Sequence, residues 1–407
     1  MGFEIALVST FPPLKEGIAI YSFSLVKALV KRNGIQVIVL SSMNYDEKNS
    51  PNISVMKAWT QNSVKYPFSI SKKVAKLKVN IVHIQHEYAL YGSPFCSGLF
   101  PILVLILKLM RKKVIVTMHS VILRSSLNSE FFLKYGAGKG LAAFKKLFVI
   151  SVTKLIGYLS DNIIVHQEIA KRELSFQYGI NSSKLHVIPH GVESYDKVLD
   201  VAYAKKKLNI EGPVVLCFGF LKRGKGIEYV IDALEIVIKK HPHVKLIIAG
   251  GAHLFSIFGS AAYVDRLKNL TKERGLNKNV IFVDRYIPEQ ELPLYFSSAD
   301  IFVLPYTEER ILGASGVMSK MLYYGKPIIF TRVYRFSELW NLELMPIAEP
   351  ENSRSLADVI TQLLESPSLQ ERIGKKMKDL AVKGSWDNIA SKTLSLYRET
   401  LKWQQNA

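Results

Sequence analysis

The sequence predicts an α/β protein made of two doubly wound parallel-sheet domains. Three observations predict it. At 407 residues the chain is too long for one ordinary core and comfortable for two. Short β-branched runs alternate with longer helical stretches, the pattern of strand–helix–strand crossovers. That pattern stops at a polar, lysine-rich segment and then begins again.

The first set of buried strands is read at Glu4–Ser9, Ile35–Leu40, Ile81–Gln85, Val114–Met118, Asn162–Val165 and Leu185–Ile188, with helices such as Tyr21–Arg32 and Phe144–Tyr158 between them. The apolar run Gly98–Met110 is broken by Pro101 and Lys108. It is shorter than the ~18–20 residues a membrane span needs and reads as a core helix. The second set comprises Pro213–Phe218, Val244–Ile248, Val280–Val283, Ile301–Leu304 and Pro327–Phe330, with helices such as Ile227–Lys239 and Leu292–Ser297. The expected organisation is a first domain over 1–195, a linker over 196–211 and a second domain over 212–385. Residues 386–407 follow, with a long amphipathic helix from Trp386 to Leu401 that has no strand to feed and is expected to pack back on the first domain. The carboxyl edges of the two sheets are expected to face each other across a central cleft, because ligands of such sheets bind at those edges.

Composition narrows the class. The chain is 48% hydrophobic, which predicts packed domains and argues against disorder. Cys96 and Cys217 are far apart and lack metal-ligand spacing, so a reducing, cytoplasmic interior is expected. Met1 to Pro13 has no basic leader before its apolar run and reads as a buried strand, not a signal peptide. The formal net charge of +20 favours anionic partners: nucleic acid, a membrane surface or phosphorylated small molecules. A solvated lysine-rich surface would look the same. No nucleic-acid-binding module is recognised, so nucleic acid is not expected as a partner.

The chemistry is expected just after the strands. After the first strand, Thr10-Phe-Pro-Pro-Leu-Lys-Glu-Gly17-Ile18 stiffens a loop with two prolines and offers Gly17 for close backbone approach before a helix. An ordinary strand-to-helix loop would read the same way. After Ile81–Gln85, the polar run His86-Glu87-Tyr88 suggests contacts to an acceptor or a sugar. His83, His86 and Glu87 could also suggest a metal, but no second His or Cys group stands at a matching spacing. After the next strand comes His119, whose place at a strand end raises its interest above that of a lone structural histidine. Pro213–Phe218 is followed by Gly219-Phe-Leu-Lys222-Arg223-Gly224-Lys225-Gly226 and then a helix. Glycines, cations and a helix N-terminus together suit a diphosphate. The loop is not a Walker A motif, because Gly226 stands where Ser or Thr is required. Gly136 to Gly140 follows no clear strand and fits no phosphate fingerprint. Further on, Pro305-Tyr306-Thr-Glu308-Glu309 leads to Ser315-Gly316-Val317, small residues that make another anion nest. Glu309 could take a ribose or sugar hydroxyl, or belong with Glu308 to a solvated acidic loop. No Asp-X-Asp pair occurs to hold a divalent cation on a sugar nucleotide, so no metal site and no cofactor are expected.

Taken together, these loops resemble glycosyltransferase family 4, over nearly the whole chain and in the family's order. The pieces are Ser9-Thr10-Phe11-Pro12-Pro13 with Gly17-Ile18-Ala19, His83 to Tyr88, Thr117 to Ser120, Ile188 to Val192, Phe218-Gly219-Phe220, Lys225-Gly226, Ser298-Ala299-Asp300, Leu304-Pro305-Tyr306, Ser315-Gly316-Val317 and Tyr324 to Pro327. The resemblance implies the GT-B fold, with two Rossmann-like domains, and retaining transfer of glucose or mannose from a nucleotide-diphosphate sugar. The acceptor would be a glycan, a lipid-linked sugar or a small sugar. It implies that Gly17 and Ile18 line the diphosphate and that His119 lies beside the transferred sugar. Lys222 or Arg223, with Lys225, would steady the departing diphosphate, and Gly219 would line the same loop. Arg285, Tyr286 and Ile287 would meet the base, and Ser315, Gly316 and Val317 would offer amides to the phosphates. Lys320 stands where the family often has the second Glu of a Glu-X7-Glu pattern, and Gly219-Phe220 replaces a common Gly-Arg. The fold also houses epimerases and phosphorylases, which are the competing enzyme classes. The stretch Glu130–Lys154 mixes apolar residues with Lys134, Lys139, Lys145, Lys146 and Lys154. It could lie on an anionic membrane or pack as a normal amphipathic helix.

Overall fold

A computed structural model of the chain describes residues 3–43, 52–134, 138, 140–195, 198–251, 260–307 and 310–402. Glu308, Glu309 and Lys139 lie outside the described residues, as does most of Gly136 to Gly140. The chain divides into two compact units: Met1–Gly191 with Arg310–Ala314 and Gly384–Ala407, and Val192–Glu309 with Ser315–Lys383.

In the first unit the strands are β1 (Phe3–Val8), β2 (Ile35–Ser41), β3 (Ile53–Lys57), β4 (Ile81–His86), β5 (Lys113–Met118), the short β6 (Val121–Ile122), β7 (Asn162–Val165) and β8 (Leu185–Val187). The helices are α1 (Gly17–Val30), α2 (Tyr66–Val74), α3 (Pro94–Gly98), α4 (Phe100–Leu109), α5 (Ser129–Lys134), α6 (Ala142–Leu159) and α7 (Glu168–Arg172). Seven of these strands form one parallel sheet in the order β3-β2-β1-β4-β5-β7-β8. Both faces are covered, which is why strands such as β2 and β5 read as largely apolar runs, while the central β4 buries His83 and Gln85 as well. Along β1, Ala6 and Val8 enter a core with residues of α2, α4 and α6, whereas Ile5 and Leu7 enter one with residues of α1. The apolar run around Gly98–Met110 is α4, with Phe100, Leu103, Val104 and Leu107 buried.

In the second unit α8 (Val201–Lys207) precedes β9 (Val214–Phe218), α9 (Ile227–Val237), β10 (Lys245–Ala249), α10 (Ser260–Glu273), β11 (Val280–Val283), α11 (Leu292–Ser298) and β12 (Ile301–Leu304). After an excursion to β13 (Ile311–Leu312), the chain adds α12 (Gly316–Leu322), β14 (Ile328–Thr331), β15 (Ile347–Ala348), α13 (Ser353–Glu365) and α14 (Pro367–Lys383). Six strands form a parallel sheet in the order β11-β10-β9-β12-β14-β15. The segment 196–211, read as a linker, contains α8. Leu199 donates its N–H to Ser297 Oγ (3.0 Å), and Lys205 meets Asp300 at 2.7 Å.

The chain returns to the first unit twice. Ile311 and Leu312 of β13 pair antiparallel with Ile122 and Val121 of β6. The last helix, α15 (Trp386–Lys402), puts Trp386, Ile389, Ala390, Leu394 and Tyr397 into the core that holds Ile5 and Leu25. Four strands have no counterpart in the sequence reading. β3 is a half-exposed Ile-Ser-Val-Met-Lys with no fully buried residue, while β6, β13 and β15 span two residues each, too few to show a period. No helix among the described residues is long and apolar enough to cross a membrane.

Candidate functional site

In the first unit the polar residues gather at the carboxyl ends of β4, β5 and β7. His119 follows β5 and donates its backbone N–H to the His86 carbonyl (3.0 Å). Its ring is half-buried against Tyr21 of α1, edge to face at 4.7 Å between centroids. Gly313 comes so close that a Cβ there would lie 2.5 Å from the His119 carbonyl oxygen, so only glycine fits the return strand at that point.

A buried hydrogen-bonded chain runs through His119. Tyr397 Oη lies 2.6 Å from His83 Nδ1, and His83 Nε2 lies 2.7 Å from Thr117 Oγ1 and 3.3 Å from the Gln85 amide. The other end of that amide is 2.7 Å from His119 Nε2. His119 Nδ1 is 3.1 Å from His166 Nε2, and His166 Nδ1 donates to the Ile188 carbonyl at 2.9 Å.

The carbonyl at the end sets the tautomers, because it can only accept. With both rings neutral, His166 Nε2 accepts from His119 Nδ1–H, and His119 Nε2 then needs a donor, the NH2 of Gln85. With the amide oxygen turned to His119 instead, either His119 or His166 must be an imidazolium. Burial holds His166 down at about 4 and His83 at about 3. Burial, helped by the nearby His166, holds His119 well below its usual value. The neutral chain is therefore the form at pH 7, with the Gln85 NH2 facing His119. None of these rings serves as a general acid there. His119 is a fixed polar group held by its neighbours.

The three residues expected at the acceptor lie beside this chain. His86 is buried against Phe100, and burial lowers it to about 4. Glu87 accepts from the Tyr88 N–H (3.0 Å) and from the Ser120 hydroxyl. Tyr88 Oη is 3.4 Å from Thr153 Oγ1.

At the mouth of β1, Gly17 opens α1 and is exposed, and Ile18 is half-buried. A Cβ on Gly17 would meet nothing within 4 Å, so packing does not require glycine there. Next to it Glu16, not singled out from the sequence, has its carboxyl raised by burial, with Thr10 working against the shift.

In the second unit, two loops lock together past the ends of β9 and β12. Gly219, Gly224 and Gly226 have φ of 127°, 84° and 66°, the region that favours glycine. A Cβ on Gly226 would lie 1.9 Å from the Pro305 carbonyl oxygen. Thr307 returns an N–H to the Gly224 carbonyl at 3.2 Å. Lys225 is thereby set over the Tyr306 ring, 3.7 Å from its centroid, a cation–π contact. Arg335, which the sequence reading passed over, has its guanidinium 5.9 Å from the same centroid. Lys222 and Arg223 are exposed on this loop.

Ser315 caps α12 by accepting from the Met318 N–H (3.3 Å), so its hydroxyl is already engaged there. Its Oγ is 3.3 Å from Tyr306 Oη. Gly316 opens α12, and Val317 comes within 3.1 Å of where a Gly219 Cβ would be, which joins the two expected phosphate loops. Arg285 is turned onto Glu291 by a salt bridge. Tyr286 is half-buried and Ile287 buried. A Cβ on Gly251 would lie 2.9 Å from the Tyr286 nitrogen, so the turns after β10 and β11 touch. Lys320, standing where the resemblance expects a carboxylate, instead meets Glu289 at 2.6 Å. Glu309 lies outside the described residues.

Comparison with known proteins agrees from both halves. The model for Glycosyltransferase Family 4 matches residues 16–194, and that for Glycosyl transferases group 1 matches residues 201–380. An uncharacterized glycosyltransferase of Methanocaldococcus jannaschii is 24% identical over 97% of this chain and 98% of its own. Among solved structures, the sucrose-phosphate synthase of Thermosynechococcus elongatus superposes with a TM-score of 0.73 at 22% identity, covering 98% of this chain and 99% of that one. Anabaena HepE, in complex with UDP and glucose, superposes with a TM-score of 0.70 at 16% identity, covering 98% of this chain and 100% of that one. At these identities the likeness establishes the fold, GT-B.

Proposed function

As this chain belongs to the family 4-like glycosyltransferases, we propose that it moves a hexose, glucose or mannose, from a nucleotide-diphosphate sugar to a glycan, lipid-linked or small sugar acceptor, with retention of the anomeric configuration. The observation that carries this reading is the glycine loop after β9 interlocked with Pro305–Thr307 after β12, with Lys225 held over Tyr306. Backbone amides freed by positive-φ glycines and a fixed cation suit a diphosphate that gains charge as it leaves. The neighbour solved with UDP and glucose supports a uridine or related donor.

The chemistry proposed is same-face displacement. The bond from the anomeric carbon to the diphosphate oxygen breaks as the acceptor oxygen bonds to that carbon, and the departing phosphate oxygen takes the acceptor's proton. Lys225, with Lys222 or Arg223, stabilises the charge on the diphosphate, and His119, its ring nitrogens bonded to Gln85 and His166, stands beside the sugar as a fixed wall. The protein's share is positioning and charge stabilisation, which supply most of the rate gain in reactions of this kind.

The test is a thermal-shift panel of UDP- and GDP-sugars followed by transfer assays. A true donor raises Tm in proportion to its occupancy. Lys225→Ala is expected to keep its fold and lose about 10²–10³-fold in kcat, on the order of 3–4 kcal/mol of barrier, by analogy with an oxyanion-hole donor. A panel with no shift at millimolar sugar nucleotide, or equal turnover in variant and parent, overturns the assignment.

A further inference from the structure

We propose that the outer surface of α3, α4 and α6 is a docking face for an anionic lipid bilayer. α6 is apolar on two sides. Val152, Thr153, Ile156 and Gly157 face the protein and are buried. Phe144, Leu147, Leu155 and Tyr158 recur at helical spacing on the opposite side and are 66%, 62%, 47% and 80% exposed. A helix of a water-soluble domain normally turns a polar face outward, so this second stripe is not explained by packing.

The stripe does not stand alone. α6 packs beside α3 and α4, and the Phe148 ring fills the space a Gly98 side chain would need. On α4, Ile102, Leu105 and Leu109 repeat the pattern, with Leu109 75% exposed. Phe95 of α3 is exposed beside them. An exposed apolar area spread over three neighbouring helices marks an interaction surface rather than scattered residues.

Charge identifies the occupant. From Tyr88 to Ser160 the sequence holds ten lysines and arginines against one acid, Glu130, which is itself paired with Arg310 at 2.9 Å. Arg111 follows the α4 stripe, Lys154 borders the α6 stripe, and Lys146 stands near its start; all three are exposed. Aromatic and aliphatic side chains ringed by long basic ones suit the boundary of headgroups and acyl chains, where the stems lie on apolar surface and the charges reach lipid phosphates. A protein partner would have to bring an equally apolar and acidic surface, whereas an anionic membrane supplies both at once. The inference deepens the proposed function, on which it rests for its purpose: it favours the lipid-linked acceptor.

The experiment is co-sedimentation of the full chain with vesicles of phosphatidylcholine alone and with 30% phosphatidylglycerol, without donor or acceptor. Expected is at least tenfold tighter binding to the anionic vesicles. That binding should fall about tenfold in Leu147→Ser/Tyr158→Ser and in Lys146→Glu/Lys154→Glu, with Tm unchanged because these side chains are exposed. Absence of binding to anionic vesicles, or binding indifferent to both double variants, overturns the proposal. So does a soluble dimer that Leu147→Ser/Tyr158→Ser splits, which would make the stripe a contact between copies, or RNA binding lost in Lys146→Glu/Lys154→Glu without vesicle binding. A chain that binds vesicles but fails the sugar-nucleotide panel keeps this docking face and sinks the glycosyl-transfer reading alone.

Discussion

Gly17 and the buried histidines carry the sharpest predictions for single residues. Because a Cβ on Gly17 would meet open space, Gly17→Ala should leave Tm unchanged or raise it slightly, given alanine's helix preference of up to about 1 kcal/mol. If the backbone there approaches the donor, the same change should raise the donor KM severalfold, measured in steady-state transfer. The histidines predict a pH dependence. His83, His86 and His166 are depressed in the folded protein to about 3, 4 and 4, so the unfolded chain binds their protons first. The stability they contribute is complete above about pH 6.5 and is lost as pH falls from there towards 4, by up to about 1.4 kcal/mol per unit for each. Urea unfolding at pH 7, 6 and 5 should show this fall, and His166→Gln should flatten it.

Among the elements, α15 has a structural role that its place at the chain end conceals. It completes one face of the first sheet, and Tyr397 reaches the histidine chain through His83. Gly191 is the tight point, because a Cβ there would lie 2.3 Å from the Trp386 ring. Gly191→Ala should therefore cost about 1–3 kcal/mol by overpacking and lower Tm by several degrees in calorimetry. Tyr397→Phe should cost about 1 kcal/mol for the lost hydrogen bond. If His119 is held in place by this chain, kcat should fall more than KM changes, and an unchanged kcat would make the contact purely structural.

For the molecule as a whole, the net charge of +20 is the dominant long-range property. A doubly negative donor should be drawn towards such a surface, so its apparent affinity should weaken severalfold between 50 and 500 mM salt as screening shortens the field. Isothermal titration at the two salt concentrations measures it, and a salt-independent affinity would confine recognition to short-range contacts.

The two-sheet architecture was legible in the amino-acid order because buried parallel strands tend to be apolar on both faces, and that leaves runs such as Pro213–Phe218 and Ile301–Leu304 visible without any partner in view. The loops bearing His119, Gly219 and Lys225 were legible for a related reason: ligand chemistry on such sheets gathers where strands end. Folding itself settled which distant residues meet. Nothing local marks Tyr397 as a neighbour of His83, Tyr306 as the ring under Lys225, Glu289 as the partner of Lys320, or Arg310–Ala314 as part of the first unit. Those pairings join segments tens to hundreds of positions apart, and they depend on strand order and backbone closeness, quantities that no short window of side chains encodes. The outward stripe on α6 is the same lesson inverted. Its residues left a membrane-lying segment and a packed amphipathic helix both open, and only the packed neighbours reveal which half of the helix remains uncovered.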